Sequence, residues 1–407
     1  MIINISWKNI WRNKTRSLVV IASVALGLFG TLFLVAIMNG WMNQKIDASI
    51  SNEISNIQIH HPKFLEDKSI NHMMENVDSI INIFKDVPGI EAISSRSVSP
   101  AMASTASSGN GVIINGIIPE KERAVTDIAE KLVEGNYLEK DYRTPGMVLG
   151  TKLAKKLNAR LGSKIVITIQ DSDNEISYGL FRVAGLYKTS NGIFDEMQVF
   201  VKHKALVSLT GINENAASEI AILLENNDLT DDVSLAIQDK LDGLSVRSWK
   251  EVDPSLLAFL AMMEQFSYVL VIIILMALTF GIINAMLMSV LERTREIGML
   301  MALGMNRKRV FIMIMMETIF LSVTGAVIGI ILSAITIRLT GQYGIDFAAW
   351  AEGLESFGYS AFVYPYVEKV FYLSIGLIVI VTAALASIWP ARKALKLNPA
   401  TAVREEV

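Results

Sequence analysis

Ser17–Met38 runs 22 residues without a charged side chain, Phe266–Leu291 runs 26, and Val370–Ala391 runs 22. A fourth stretch, Val310–Ile337, is apolar apart from Glu317. About 20 apolar residues carry a helix across the hydrocarbon core of a bilayer, and backbone in lipid must satisfy its own hydrogen bonds. Four transmembrane helices are therefore expected, at 17–39, 266–291, 310–337 and 370–391. The whole chain agrees. It is 52% hydrophobic and 19% charged, with mean hydropathy +0.41, too apolar for an ordinary soluble enzyme of 407 residues. The first run follows basic residues, as a leader peptide's would. Its apolar part is longer than a leader's, and no small-x-small cleavage site follows, so it is expected to remain as a span.

Charge sets the orientation. Lys8, Arg12, Lys14 and Arg16 precede the first run; Arg293, Arg295, Arg307, Lys308 and Arg309 lie between the second and third; Arg392, Lys393, Lys396 and Arg404 follow the fourth. The connection between the third and fourth carries Asp346, Glu352, Glu355 and Glu368, with Arg338 and Lys369 only at its edges. Basic loops stay in the cytoplasm. Both termini (1–16 and 392–407) and the 292–309 loop are expected inside, and 40–265 and 338–369 outside. Ile3, Trp7, Ile10 and Trp11 share one helical face, which predicts a short helix on the cytoplasmic membrane surface. Phe347, Trp350, Leu354 and Phe357 form a similar stripe on the outer side.

Residues 40–265 have the composition of a soluble domain. Alternating runs at Ser55–His60, Ala92–Ser97, Val112–Gly116, Lys164–Ile169, Tyr178–Leu186 and Gln198–Val201 predict strands. Helical periodicity marks Val77–Phe84, Glu120–Lys131, Lys152–Leu157 and Asp231–Leu241. A strand–helix–strand unit ending near Ser97 is echoed by another from 219 to about 248. Two such arms, about 40–99 and 216–265, could close one membrane-proximal sheet, with a distal lobe at about 100–215. The expected fold class is thus a four-helix all-α membrane part with a large α+β domain inserted between helices 1 and 2.

Several chemistries are excluded. Net charge is −3, so no global basic field calls for nucleic acid. Without cysteine there are no disulfides and no thiolate sites. Of the four histidines, adjacent His60 and His61 on a strand face opposite ways; all four are expected to be solvated surface residues, and no metal site is expected. No phosphate-cradling loop can be built, because Gly185-Leu-Tyr-Lys-Thr189 lacks the glycine before lysine. Neither a zinc-hydrolase helix motif nor a nucleophile elbow is present. The chain is therefore read as a non-enzyme that binds no cofactor. Glu317 lies roughly 8–12 Å beyond the Arg307–Arg309 cluster along a helix, a depth that favours a structural link to an inner-face arginine over a transport role. Gly325 and Gly329 are spaced for close helix packing.

The segment Leu291-Glu-Arg-Thr-Arg-Glu-Ile-Gly-Met-Leu-Met-Ala-Leu-Gly-Met-Asn-Arg-Lys-Arg-Val310 resembles the cytoplasmic motif of the FtsX/MacB superfamily of ABC transporter permeases. Trp389-Pro-Ala-Arg-Lys-Ala-Leu-Lys-Leu-Asn-Pro-Ala400 resembles that superfamily's terminal motif. Val148-Leu-Gly-Thr-Lys-Leu-Ala154 with Gly162-Ser-Lys-Ile165 resembles its periplasmic core pattern, and Trp7–Ser17 its start. The resemblance implies a bacterial inner-membrane subunit with a periplasmic domain. Its partners would be a second permease chain, identical or homologous, and a separate cytoplasmic ABC ATPase dimer that binds ATP and Mg. It also implies a coupling helix in the 292–309 loop, pointing to Glu296, Gly298, Gly304, Asn306, Arg307 and Lys308 as the ATPase contact.

Within the superfamily, length and helix layout are most similar to the lipoprotein-releasing permeases. On that likeness a lipid-anchored substrate would enter between helices 1 and 2, whose outer ends carry Met38, Trp41, Phe259, Met262, Met263 and Phe266. Methionine-rich surfaces adapt to varied apolar cargo. The alternative is MacB-like mechanotransmission to a periplasmic adaptor, efflux system or cell-wall hydrolase. The turn at Asp171–Glu175 is short for a hairpin that would recruit a periplasmic carrier.

Overall fold

A computed structural model describes residues 7, 10, 12, 14–139, 143–356 and 359–395, without the side chains of 352, 355 and 356. Ile3, Lys8 and Trp11 of the amphipathic start, Phe357 of the outer stripe, and Lys396 to Ala400 and Arg404 of the tail lie outside the described residues. The chain divides into two compact units. One is Met1–Met42, Leu260–Asp346 and Phe362–Val407; the other is Asn43–Phe259 and Phe347–Ala361.

Four helices are long and apolar enough to cross a membrane: Ser17–Ile54, Pro254–Glu292, Arg307–Tyr343 and Lys369–Leu395. The first two extend well past the apolar runs at 17–39 and 266–291. Beyond Gly40 the first continues through Trp41–Ser49 and ends in a π-turn at Ile50–Ile54. The second begins at Pro254, a favoured first helical residue. Asp253 caps it, its Oδ1 accepting from the backbone N–H of Ser255 and of Leu256 at 3.1 Å each. Val24, Leu28, Leu32, Ile282, Ile314 and Val379 meet in the membrane unit's core. Gly325 and Gly329 allow the third helix to lie directly on the first. A Cβ at 325 would stand 2.8 Å from the Ile21 carbonyl oxygen, and one at 329 would stand 2.9 Å from that of Ala25.

In the second unit, ten strands form one sheet: β1 Ile57–His60, β2 Ile90–Ser104, β3 Gly109–Ile117, β4 Leu132–Gly135, β5 Gly146–Gly150, β6 Lys164–Gln170, β7 Ile176–Tyr187, β8 Gln198–Lys202, β9 Glu219–Leu224 and β10 Ser245–Ser248. The order is β10-β1-β9-β2-β3-β8-β5-β7-β4, with β6 paired to β2 and β7. The four arm strands alone have the split βαβ arrangement of ferredoxin-like folds. No boundary falls at residue 100, because β2 runs unbroken from Ile90 to Ser104 and is shared by the arm and the distal strands. Helix Val77–Phe84 and helix Thr230–Gln238 cover one face of the arm sheet, where Ile57, Ile59, Phe84, Ile220, Ile222 and Ile237 are buried together.

Strand alternation sends Gln58, His60, Ser94, Arg96 and Glu219 to the opposite face. They are buried there too. His60 is thus no surface residue; its ring stacks on Phe64 at 5.3 Å. The helix expected over 120–131 is also corrected. Helix Pro119–Glu122 stops early, and only a 3-10 turn at Asp127–Ala129 follows. Glu122 is drawn inward to Arg96, and Thr126 adopts extended backbone. Residues 347–361 group with this unit; the Tyr359 ring meets that of Phe259 at 5.7 Å.

Substituting Gly325 or Gly329 by leucine forces the first and third helices apart, and overpacking of this kind costs about 1–3 kcal/mol. Thermal unfolding in detergent should show a lowered midpoint for both. Unchanged midpoints would mean that the helices do not pack at these glycines.

Candidate functional site

The hairpin between the second and third membrane helices is built by short-range chemistry. Helix Thr294–Ala302 ends at Gly304, whose φ of +95° suits glycine. The Met305 N–H reaches the Leu300 carbonyl at 3.0 Å and the Gly304 N–H reaches that of Met301 at 3.1 Å, a Schellman closure. Asn306 then caps the third membrane helix, its Oδ1 accepting from the Lys308 N–H at 3.1 Å. Gly304 and Asn306 therefore shape the turn, Gly298 is buried in the short helix, and Arg307 and Lys308 are exposed beyond it.

Glu296 does not point freely outward. It pairs with Arg12 and, at 3.0 Å, with Nε of Arg293. Arg293 Nη1 donates to both oxygens of Glu317 at 3.1 Å. Glu317 is 3% exposed, so it is the inner end of a relay running Arg12–Glu296–Arg293–Glu317. Sequence reading left open which arginine Glu317 meets; a contact across 24 residues depends on how the hairpin closes. It also passed over Met299 and Leu303, one helical turn apart and exposed, Leu303 at 81%. The same hairpin carries the exposed cations Arg295, Arg307 and Lys308.

The outer-end residues are distributed as follows. Phe259, Met262, Met263 and Phe266 follow i, i+3, i+4, i+7 spacing on one helix, so they share a face. Met262 and Phe266 are exposed, Met263 is half-buried, and Phe259 packs on Tyr359. Met38 and Trp41 are half-buried on the first helix. The second membrane helix is the least covered of the four: 17% of its most apolar window is buried, against 44% for the first.

The domain's buried charge node was invisible in sequence. Arg96 Nη1 donates to Glu219 and to the Glu53 carbonyl, both at 2.7 Å; its Nε and Nη2 meet Glu122 at about 3 Å. Burial alone would lower the guanidinium's pKa, but Glu122 and Glu219 hold it above its usual value. Burial likewise opposes the fall of Glu219, which Arg96 keeps below the usual carboxylate range. No cluster of three or more metal-ligating side chains occurs among the described residues.

The family model of the FtsX-like permease C-terminal region matches residues 268–399, and that of the MacB-like periplasmic core domain matches 17–240. The chain belongs to the FtsX/MacB family of ABC transporter permeases. It is 23% identical over 403 residues to the lipoprotein-releasing system transmembrane protein LolC of Neisseria meningitidis, covering 96% of this chain and 94% of that one. It is 35% identical to the macrolide export ATP-binding/permease protein MacB of Chlorobium luteolum over 126 residues only, 31% of this chain and 16% of that one. The periplasmic region of MacB from Actinobacillus actinomycetemcomitans aligns with TM-score 0.36 and 11% identity, over 52% of this chain and 97% of that one.

Removing one member of a buried ion pair strands the other's charge at a cost of about 3–5 kcal/mol. Arg293→Met and Glu317→Leu should each lower the thermal midpoint in detergent, while the double variant regains most of the loss. Single variants as stable as the parent would show that the pair does not hold the hairpin.

Proposed function

We propose that this chain is the permease subunit of a lipoprotein-releasing ABC complex of the bacterial inner membrane. Its domain is periplasmic, both termini are cytoplasmic, and ATP and Mg are bound by a separate ATPase. The observation that carries this reading is the uncovered face of the second membrane helix. An apolar stripe of Met262, Met263 and Phe266 at its outer end suits acyl chains, with Met38 and Trp41 as the opposing wall contributed by the first helix of the same or a second permease chain. The nearly full-length sequence match to a LolC protein supports it, whereas the sequence match to the Chlorobium luteolum macrolide exporter spans under a third of this chain. On the cytoplasmic side, the 294–302 helix seats in a groove of the ATPase through Met299 and Leu303, with Glu296 held by arginines and Arg307 and Lys308 free to pair with acids.

Mechanotransmission is the second reading. It is favoured by an exposed apolar patch on the β6–β7 hairpin, where Val166, Ile176, Tyr178 and Leu180 lie beside Met102 of β2. Such a face suits a periplasmic carrier or adaptor.

A photo-crosslinking residue at Met262 or Phe266 in living cells should trap lipid-modified proteins. Adducts only to a sister permease would overturn lipoprotein release and favour mechanotransmission. Leu303→Asp should abolish co-purification of the ATPase without lowering the permease's thermal midpoint; retained co-purification would remove Leu303 from the contact.

A further inference from the structure

The polar face of the arm sheet borders a cavity of about 450 Å³ within the domain unit. That volume falls in the range of small-molecule sites, about 300–1,000 Å³. Phe64, Phe194 and Phe200 supply aromatic wall. The polar groups are one-sided in their hydrogen-bonding capacity. Arg96 gives Nε and Nη1 to Glu122, Glu219 and the Glu53 carbonyl, and its Nη2, buried and without a hydrogen bond of its own, lies 2.9 Å from Glu122, which neutralises it towards an anion. Gln58, 4% exposed, gives its NH2 to the Ile54 carbonyl at 2.8 Å and keeps its amide oxygen without a partner among the described residues. Glu53 uses one carboxyl oxygen to accept from Gln198 Nε2 at 3.2 Å and leaves the other to the cavity. Around the lining, Glu53, Glu219, Glu251 and Asp253 outnumber Arg96 and the exposed Lys68.

A cavity with spare acceptors, excess negative charge and aromatic walls is matched to one kind of guest. We propose that it binds a small organic cation, an ammonium head on an apolar body, with Glu53 and Gln58 taking the head and the phenylalanines the body. Aromatic faces attract such heads as well. The lining includes Glu53, at the end of the first membrane helix, and Asp253, the cap of the second. An occupant would therefore tie both helix ends to the sheet, and its departure would release them.

Burial raises the Glu53 carboxyl above its ordinary value; Lys68 and Arg96 oppose the rise, while Asp253 and Glu219 add to it. Lys45, itself lowered by burial, also faces Glu53. A bound cation favours the ionised carboxylate. Binding therefore releases a proton, and affinity rises with pH through the raised value.

The test uses the full chain in nanodiscs of zwitterionic phospholipid, with empty discs as blank. Benzylammonium chloride and its neutral counterpart benzyl alcohol are titrated by calorimetry at pH 4.5, the ordinary glutamate value, and at pH 8. The expected result is saturable benzylammonium binding, tighter at the higher pH, with benzyl alcohol weaker by about tenfold, the worth of one charged hydrogen bond. Glu53→Gln should weaken benzylammonium by a similar factor and flatten its pH dependence. Absence of saturable heat, equal binding of the alcohol, or an unaffected folded Glu53→Gln variant would each overturn the proposal. If that variant does not fold, the alcohol and pH comparisons on the parent chain decide.

Discussion

A guanidinium buried at Arg96 constrains the domain more than any other single group. Removing such a charge from water costs several kcal/mol unless it is paired and fully hydrogen-bonded. Its partners come from three separate places: the cross-strand neighbour Glu219, Glu122 after a turn, and the backbone carbonyl of Glu53. Satisfying Arg96 therefore fixes the register of β2 on β9, bends the chain inward at Pro119–Glu122, and ties the π-turn of the first membrane helix to the sheet. Only Ser55 and Asn56 separate that π-turn from β1.

Arg293 and Glu317 use the same physics in the membrane unit. A carboxylate inside an apolar helix is expensive alone, and its pairing with Arg293 restricts where the 294–302 helix can lie. Buried ion pairs are weak evidence for stability, and their best-attested use is to specify one arrangement over alternatives. Glu296 and Arg12 lengthen the pair into a relay, so the charged tip of the hairpin is held from within the bundle. The exposed apolar pair Met299 and Leu303 then projects from a braced support.

Periodicity and charge made the coarse architecture readable. The charge-free runs mark all four long helices, and the repeated strand–helix–strand pattern marks the arms, since both depend on near neighbours in sequence. The Gly325 and Gly329 spacing also has local origins, and the Ile21 and Ala25 carbonyls it meets are on the first helix. What escaped were contacts whose partners are remote. Arg96 sits among serines in a strand that reads as half-exposed, and nothing near it announces Glu122 or Glu219. The helix expected over 120–131 failed for the same reason, since a long-range ion pair overrode local propensity. Gly304 and Asn306 were singled out only through the family resemblance, as expected ATPase contacts; the structure gives them a Schellman turn and a helix cap, local devices set within a few residues. Met299 and Leu303 were missed because apolar residues in a membrane chain read as lipid-facing.

The uneven coverage of the helices has a consequence for assembly. The first helix finds partners in its own chain, on the third through glycine contacts, whereas the second leaves most of its surface uncovered. Lipid could cover that surface, since tails are as apolar as leucine and give helices no hydrophobic reason to associate. A specific neighbour must instead be won by packing. The stripe at Phe259, Met262, Met263 and Phe266 offers broad, deformable side chains in place of the small residues that cement helix pairs. Deformable surface packs poorly against one fixed neighbour and adequately against many. That chemistry favours a face that exchanges guests over one that seals a permanent interface, which is what the lateral cargo entry proposed above requires.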